Sequence, residues 1–258
     1  MIEFRGVHHS YGDREVLRGI DLVLDGPRTG IIGANGSGKS TLARMINGLV
    51  EPASGQVLVD GLDVSRHGRE VRRRVAFVFP DPEAQIVMPT VSEDIAFSLR
   101  RRRLTREAVD ARIDAALARF GLADHRDHPA HLLSSGQKQL LALASVTAVE
   151  PAILVADEPT TMLDRRHTRT VMRHLEALDQ QLVLVSHQLE LFASWERVVV
   201  VDEGRVVADG PGVESIDFYR RLMDGETTEG GGGGASAVRH PDGGTSGPGR
   251  TDGTGPRC

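Results

Sequence analysis

The chain has 258 residues, 40% hydrophobic and 26% charged, which suits one α/β domain with additions, or two modest ones, around a sizeable core. Its formal net charge of −5 lacks the basic excess that binding to a phosphate backbone uses, so nucleic acid is not an expected partner. The single cysteine, Cys258, cannot build a disulfide framework or a thiolate metal site. Met1 to Arg5 carry no signal-peptide core and no apolar run is long enough to cross a bilayer, so any membrane component is expected from other subunits.

Residues 1–25 alternate apolar and polar positions, as in Ile2, Phe4 and Val7, then Ile20, Leu22 and Leu24. With Tyr11-Gly12-Asp13 as a turn, this predicts short antiparallel strands with one solvated face. Ile31-Ile32 leads into a glycine-rich loop and a helix over Lys39 to Asn47, ended by Gly48. Gly55 to Asp60 and Val75 to Phe79 read as strands. Val109, Ile113, Leu117 and Phe120 recur at helical spacing over 105–120, with Thr105 as N-cap, Gly121 at the C-terminus and Leu104 with Val109 as a hydrophobic staple.

A second helix is predicted from about Gly136 to Val149. The continuous apolar runs Ile153 to Ala156, Leu182 to Val185 and Val198 to Val201 read as parallel strands covered on both faces, with helical segments between. Gly204 and Asp209-Gly210 read as hairpin turns. Strands alternating with helices imply βαβ units and a mainly parallel sheet. From about Gly225 the composition turns to Gly, Ser, Thr, Pro and Asp, with an unbroken run Gly230 to Gly234, and a disordered, dispensable tail is expected over 225–258. There is no internal repeat.

Gly33-Ala34-Asn35-Gly36-Ser37-Gly38-Lys39-Ser40 matches the phosphate-loop pattern G-x-x-x-x-G-K-[ST], between an apolar strand and a helix whose next residue is Thr41. The glycines let the backbone curl so that successive N–H groups converge on an anion, and the helix aims its positive end at the same point. Lys39 can reach the β- and γ-phosphates of a nucleotide, and the Ser40 hydroxyl can ligate Mg²⁺. Asp157-Glu158 closes a buried apolar run, where ligands of such sheets sit. Asp157 can hold Mg²⁺ through its water shell, and Glu158 can act as general base toward an attacking water.

On these motifs, residues 1–215 resemble the ABC ATPase family. Leu133-Ser134-Ser135-Gly136-Gln137 looks like its LSGGQ signature, with Ser135 where glycine is usual. The resemblance implies a P-loop NTPase (RecA-like) α/β fold over 1–224, with an antiparallel β subdomain and an inserted helical subdomain at about 80–150. It further implies ATP and Mg²⁺ as cofactors and a homo- or heterodimer that sandwiches two ATP molecules. In such a dimer Ser134, Ser135, Gly136 and Gln137 face the γ-phosphate held by the opposite subunit. Tyr11 matches the aromatic ring that stacks on adenine, Asp164 the loop that crosses the dimer interface, and His187 the switch histidine at the γ-phosphate. Pro80 stands where the family has a metal-sensing glutamine. Either Asp81 or a water serves there, or the link to the membrane subunit is altered; Gln85 lies too far along to substitute directly.

The stretch Phe79 to Phe97, with Pro80-Asp81-Pro82-Glu83-Ala84-Gln85, then Pro89-Thr90-Val91, the acidic pair Glu93-Asp94 and Ala96-Phe97, is similar to energy-coupling factor (ECF) ATPases, which tend to show a Pro-Asp-x-x-Gln run at its start. That resemblance implies a transmembrane coupling subunit, a separate membrane protein that captures a micronutrient, and a place at the cytoplasmic face of the cell membrane. Biotin is the first expectation for the cargo, cobalt or nickel ions the second. The competing readings are a non-transport ABC ATPase acting on DNA or ribosomes and a nucleotide-binding regulator with weak hydrolysis. A single cassette with closely spaced motifs argues against the first, and Glu158 with His187 against the second. His125, His128 and His131 are spaced three apart, but Pro129 interrupts any shared helical face, and a loop is the reading preferred over a metal site. The basic runs Arg72 to Arg74 and Arg100 to Arg103 read as solvated faces, the second in the region that faces the membrane subunit in the resembled family.

Overall fold

The computed structural model describes residues 1–225; the tail from residue 226 on, and the disorder expected of it, lies outside the described residues. The strands are β1 (Ile2–Tyr11), β2 (Arg14–Leu24), β3 (Arg28–Ile32), β4 (Ser54–Val59), β5 (Leu62–Asp63), β6 (Val75–Val78), β7 (Ile153–Asp157), β8 (Gln181–Val185), β9 (Val198–Asp202) and β10 (Arg205–Gly210). The helices are α1 (Lys39–Met45), α2 (Val64–Arg74), α3 (Val91–Leu99), α4 (Arg106–Arg119), α5 (Ser135–Thr147), α6 (Arg165–Glu176) and α7 (Gly212–Met223).

An antiparallel sheet runs in the order β2-β1-β4-β5, and a larger sheet in the order β10-β9-β3-β8-β7-β6. In the larger sheet β9, β3, β8, β7 and β6 are parallel and only β10 is antiparallel. This is the mixed α/β arrangement that the alternation of strands and helices predicts. The pleat divides the interior. Ile31, Val155, Val183, Val185, Val199 and Val201 pack with α1 and the antiparallel sheet. Their neighbours Ile32, Leu154, Leu182, Leu184, Val198 and Val200 pack with α3, α4, α5 and α6 on the other face. Alternate residues of one strand therefore feed two separate cores, which explains the unbroken apolar runs.

Local signals set several helix ends. Thr105 caps α4 by accepting from the Ala108 N–H. Thr90 and Glu93 form a reciprocal capping box on α3, and Ser134 and Gln137 form another on α5. Asp164 caps α6. Some elements were not legible beforehand. In α2 only Val64 and Val71 are buried and His67 departs from helical geometry, so two apolar positions seven residues apart among arginines are its only apolar signal. The helix α3 lies inside the helical subdomain that the resemblance implied at about 80–150, though no periodicity singled it out, and α7 lies where no helix was predicted.

Two expectations need correction. The link between β8 and β9 holds a 3₁₀ turn, Leu189–Phe192, in place of an α-helix. Asp209-Gly210 is not a hairpin turn: both residues continue β10, opposite Val199 and Val198. The Asp209 carboxylate accepts from Arg197 Nε at 2.9 Å and Nη2 at 2.8 Å, a bidentate pair that outweighs the turn preference of the dipeptide. Gly204 does form the turn, with φ 77°.

Candidate functional site

The site gathers at the carboxyl ends of β3, β8 and β7, which are neighbours in the sheet. The phosphate loop leaves β3 at Gly33, whose φ is 148°, and enters α1 through Gly38, with φ 107°. Both positions exclude a side chain: a Cβ on Gly33 would lie 2.0 Å from the Val201 carbonyl oxygen, and one on Gly38 would lie 2.8 Å from that of Val16. Among the described residues, the N–H groups of Gly36, Gly38, Lys39 and Ser40 donate to no acceptor. The buried Ser37 hydroxyl also has no partner. Unmet donors at a loop and helix start are the features that an oxyanion satisfies. Ala34 and Asn35 form the outer bend of the loop, and Thr41 is buried in the first turn of α1.

Lys39 Nζ donates to the carbonyls of Gly33 and Ala34, both at 2.8 Å. Burial lowers its pKa from the ordinary lysine value, against the pull of the Glu158 and Asp157 carboxylates. The Ser40 hydroxyl donates to Asp157 Oδ1 at 2.8 Å, and Arg44 Nη2 approaches Oδ2 at 3.4 Å. Asp157 is fully buried, and that burial raises its pKa; the Ser40 bond and the Arg44 charge oppose the rise. Ser40 and Asp157 thus present two hard oxygen donors beside the phosphate loop, a set that fits Mg²⁺.

Glu158 begins the turn after β7 with φ 50°, and its N–H donates to the Val185 carbonyl at 2.9 Å. That geometry directs its side chain across the end of β8. There Oε2 accepts from Thr161 Oγ1 at 2.9 Å and Ser186 Oγ at 3.4 Å, and lies 2.8 Å from His187 Nδ1. The structure therefore brings Lys39, Ser40, Asp157, Glu158 and His187 together. Arg44, Thr161 and Ser186 join them without having been singled out. Arg44 follows Ser40 by one helical turn, and this spacing is the signal that could have found it.

Four other sites stand apart from this group. Ser134, Ser135, Gly136 and Gln137 open α5, where the Ser134 N–H donates to Gln137 Oε1 at 2.9 Å. None of their hydrogen bonds reaches the phosphate loop among the described residues. Asp164 accepts the His167 N–H at 2.8 Å, which holds its carboxyl below the usual range. Tyr11 is half exposed at the β1–β2 turn, its ring edge-on to His9. Its register partner Arg14 reaches the Gly36 carbonyl at 3.5 Å and lines, with Ala34 to Ser37, an open cavity of about 550 Å³. Asp81 caps the 3₁₀ turn Pro82–Ala84 through the Glu83 N–H at 2.9 Å. That turn folds Gln85 back so that its Oε1 accepts the Phe79 N–H at 3.1 Å, beside Pro80, despite the distance along the chain.

The family model for "ABC transporter" matches residues 18–161, which span the phosphate loop, the signature and the acidic pair. The "Biotin transport ATP-binding protein BioM" of Rhizobium etli is 44% identical over 221 residues, covering 86% of this chain and 98% of that protein. The "Energy-coupling factor transporter ATP-binding protein EcfA1" of Symbiobacterium thermophilum is 43% identical over 217 residues, covering 78% of this chain and 76% of that protein. The solved structure of cbiO1 from Clostridium perfringens, described as part of the ABC transporter complex cbiONQ, superposes with a TM-score of 0.77 at 31% identity, covering 86% of this chain and 93% of that one. No described helix is long and apolar enough to cross a membrane. A phosphate loop, a buried aspartate with a glutamate beside it, and a separate signature-like helix thus coincide with a family match over most of the described residues, and the chain belongs to the ATP-binding, ATP-hydrolysing subunits of ABC transporters, in the energy-coupling factor group.

Proposed function

We propose that this chain powers an importer of a micronutrient, with biotin as the first candidate cargo and cobalt or nickel ions as the second. In this reading it works as one of two ATPase subunits on a transmembrane coupling subunit, beside a separate membrane protein that captures the cargo, at the cytoplasmic face of the membrane. The joining of Glu158 and His187 at 2.8 Å beside Lys39 and Ser40 supports ATP hydrolysis as the source of power, and the similarity to the BioM and EcfA1 proteins carries the transport reading. The similarity to BioM supports biotin.

The residues divide the chemistry. The loop N–H groups, Ser37 and Lys39 hold the phosphates, and Ser40 with Asp157 would hold Mg²⁺. Mg²⁺ supplies charge neutralisation of the phosphate oxygens. The Glu158 carboxylate accepts the proton of the attacking water, and His187 orients Glu158 through Nδ1 while presenting its other nitrogen toward the γ-phosphate. The signature residues Ser134 to Gln137 serve the nucleotide of the opposite subunit, and none of their hydrogen bonds among the described residues reaches the phosphate loop of their own chain. Tyr11 stacks on the adenine, and Asp164 crosses the dimer interface. Cells lacking this chain but holding its membrane partners provide the test. Restoring the chain should restore ATP-dependent uptake of labelled biotin. Uptake of cobalt or nickel instead would select the second cargo, and restoration of neither would reject the importer reading.

A further inference from the structure

The signature glutamine is not free. Gln137 Nε2 lies 2.9 Å from His125 Nε2, and His125 Nδ1 lies 2.6 Å from His128 Nδ1. The two imidazoles are tilted against each other with centroids 4.8 Å apart. The spacing that suggested a metal site instead builds a pair, and among the described residues no group of three metal-ligating side chains exists.

The direction of each hydrogen bond follows from the first. Gln137 Oε1 accepts the Ser134 N–H at 2.9 Å, so the amide NH₂ must face His125. An amide nitrogen only donates, so His125 Nε2 must be bare and its proton must sit on Nδ1. That proton points at His128 Nδ1, which must accept, and His128 keeps its own proton on Nε2. Each ring is therefore held in one tautomer.

We propose that His125, backed by His128, is the positioning residue that holds Gln137, and through it the N-terminus of the signature helix, in the form that meets ATP. This rests on the reading of Ser134 to Gln137 as the signature that serves the opposite nucleotide. A second proton on His125 would set Nε2–H against the amide NH₂. Flipping the amide does not help, because its NH₂ would then face the Ser134 N–H. A second proton on His128 Nδ1 forces the same conflict one ring away.

The charged neighbours take no part in this chain of bonds. Arg126, between the two histidines in sequence, is turned to Asp110 at 3.2 Å and to Asp114. Asp124 and Asp127 are exposed on the same turn, as is His131 on the next. Lys138 of α5 is held by Glu83. No carboxylate among the described residues hydrogen-bonds either ring.

Two measurements on the full chain test this. In ¹⁵N NMR at neutral pH, His125 should carry its proton on Nδ1 and His128 on Nε2; a proton on Nε2 of His125 overturns the proposal. In turnover assays with the membrane partner, H125Q keeps an acceptor at the Nε2 position. H125F, which removes the acceptor, should lose roughly tenfold in turnover at neutral pH while H125Q retains it, and equal turnover in H125F and wild type also overturns it. If the wild type turns over no ATP, the transport reading fails, whereas the tautomers still decide the His125–Gln137 link.

Discussion

The ring of His167 in α6 lies directly over Gly136 of the signature, so close that a Cβ on Gly136 would stand 2.2 Å from His167 Cδ2. Asp164 holds His167 from below through its N–H at 2.8 Å. The loop that follows the acidic pair is thereby packed against the signature helix within one subunit. Gly136→Ala should destabilise the protein by about 1–3 kcal/mol, the usual cost of overpacking. H167A in the same chain should relieve the clash and recover most of that loss. Thermal denaturation of the single and double variants would check it, and an unchanged midpoint in Gly136→Ala would show that the ring yields freely.

Glu158 stands between Thr161, Ser186 and His187. Glu158→Gln keeps the shape and removes the base. ATP binding should persist while turnover falls by about 10²–10⁴-fold, the range of general base catalysis. His187→Ala should lower turnover as well, through lost orientation of Glu158, with a smaller effect on nucleotide binding than Lys39→Ala. Phosphate release and nucleotide titration on the same preparations separate these outcomes.

Asp157 couples function to a stability cost. Burial raises its carboxyl pKa above the ordinary value of 3.8, so the folded chain binds this proton more tightly than the unfolded chain. The stability this adds is fully present below the unfolded value and is lost as pH rises through the folded one. D157N, which is neutral throughout, should therefore gain stability over the wild type at neutral pH in the absence of nucleotide, and the gain should vanish below about pH 4. The same variant should lose ATP turnover. Denaturant titrations at several pH values measure the difference; a D157N chain less stable than wild type at pH 7 would mean that the bonds to Ser40 and Arg44 outweigh desolvation.

The acidic pair Glu93-Asp94 has two separate jobs. Glu93 closes the capping box with Thr90, whereas Asp94 is buried and accepts from the N–H groups of Val87 at 2.9 Å and Met88 at 3.2 Å and from Ser145 Oγ at 2.7 Å. It ties the loop before α3 to helix α5. Asp94→Ala leaves those donors unpaired and should cost about 3 kcal/mol, a fall in Tm of roughly 6–12 °C for a domain of this size. Glu93→Ala, which removes only an exposed cap partner, should cost about 1 kcal/mol or less. Calorimetry of the two variants tests the ranking.

What the linear sequence determined was whatever depends on neighbours along the chain. The curl at Gly33 and Gly38, the caps at Thr105 and Ser134, and the apolar runs of β7, β8 and β9 follow from backbone sterics, capping and burial, which act over a few residues. Tertiary structure alone decided that β8 lies between β3 and β7, and hence that Ser186 and His187 meet Glu158. It alone folded Gln85 back to Phe79, set Arg44 against Asp157, and chained His128 and His125 to Gln137. It also drew Asp209 into β10, against its local preference for a turn. These contacts join residues whose pairing depends on strand order and on the shared packing of two cores, and no period or motif in a single segment encodes such long-range closure.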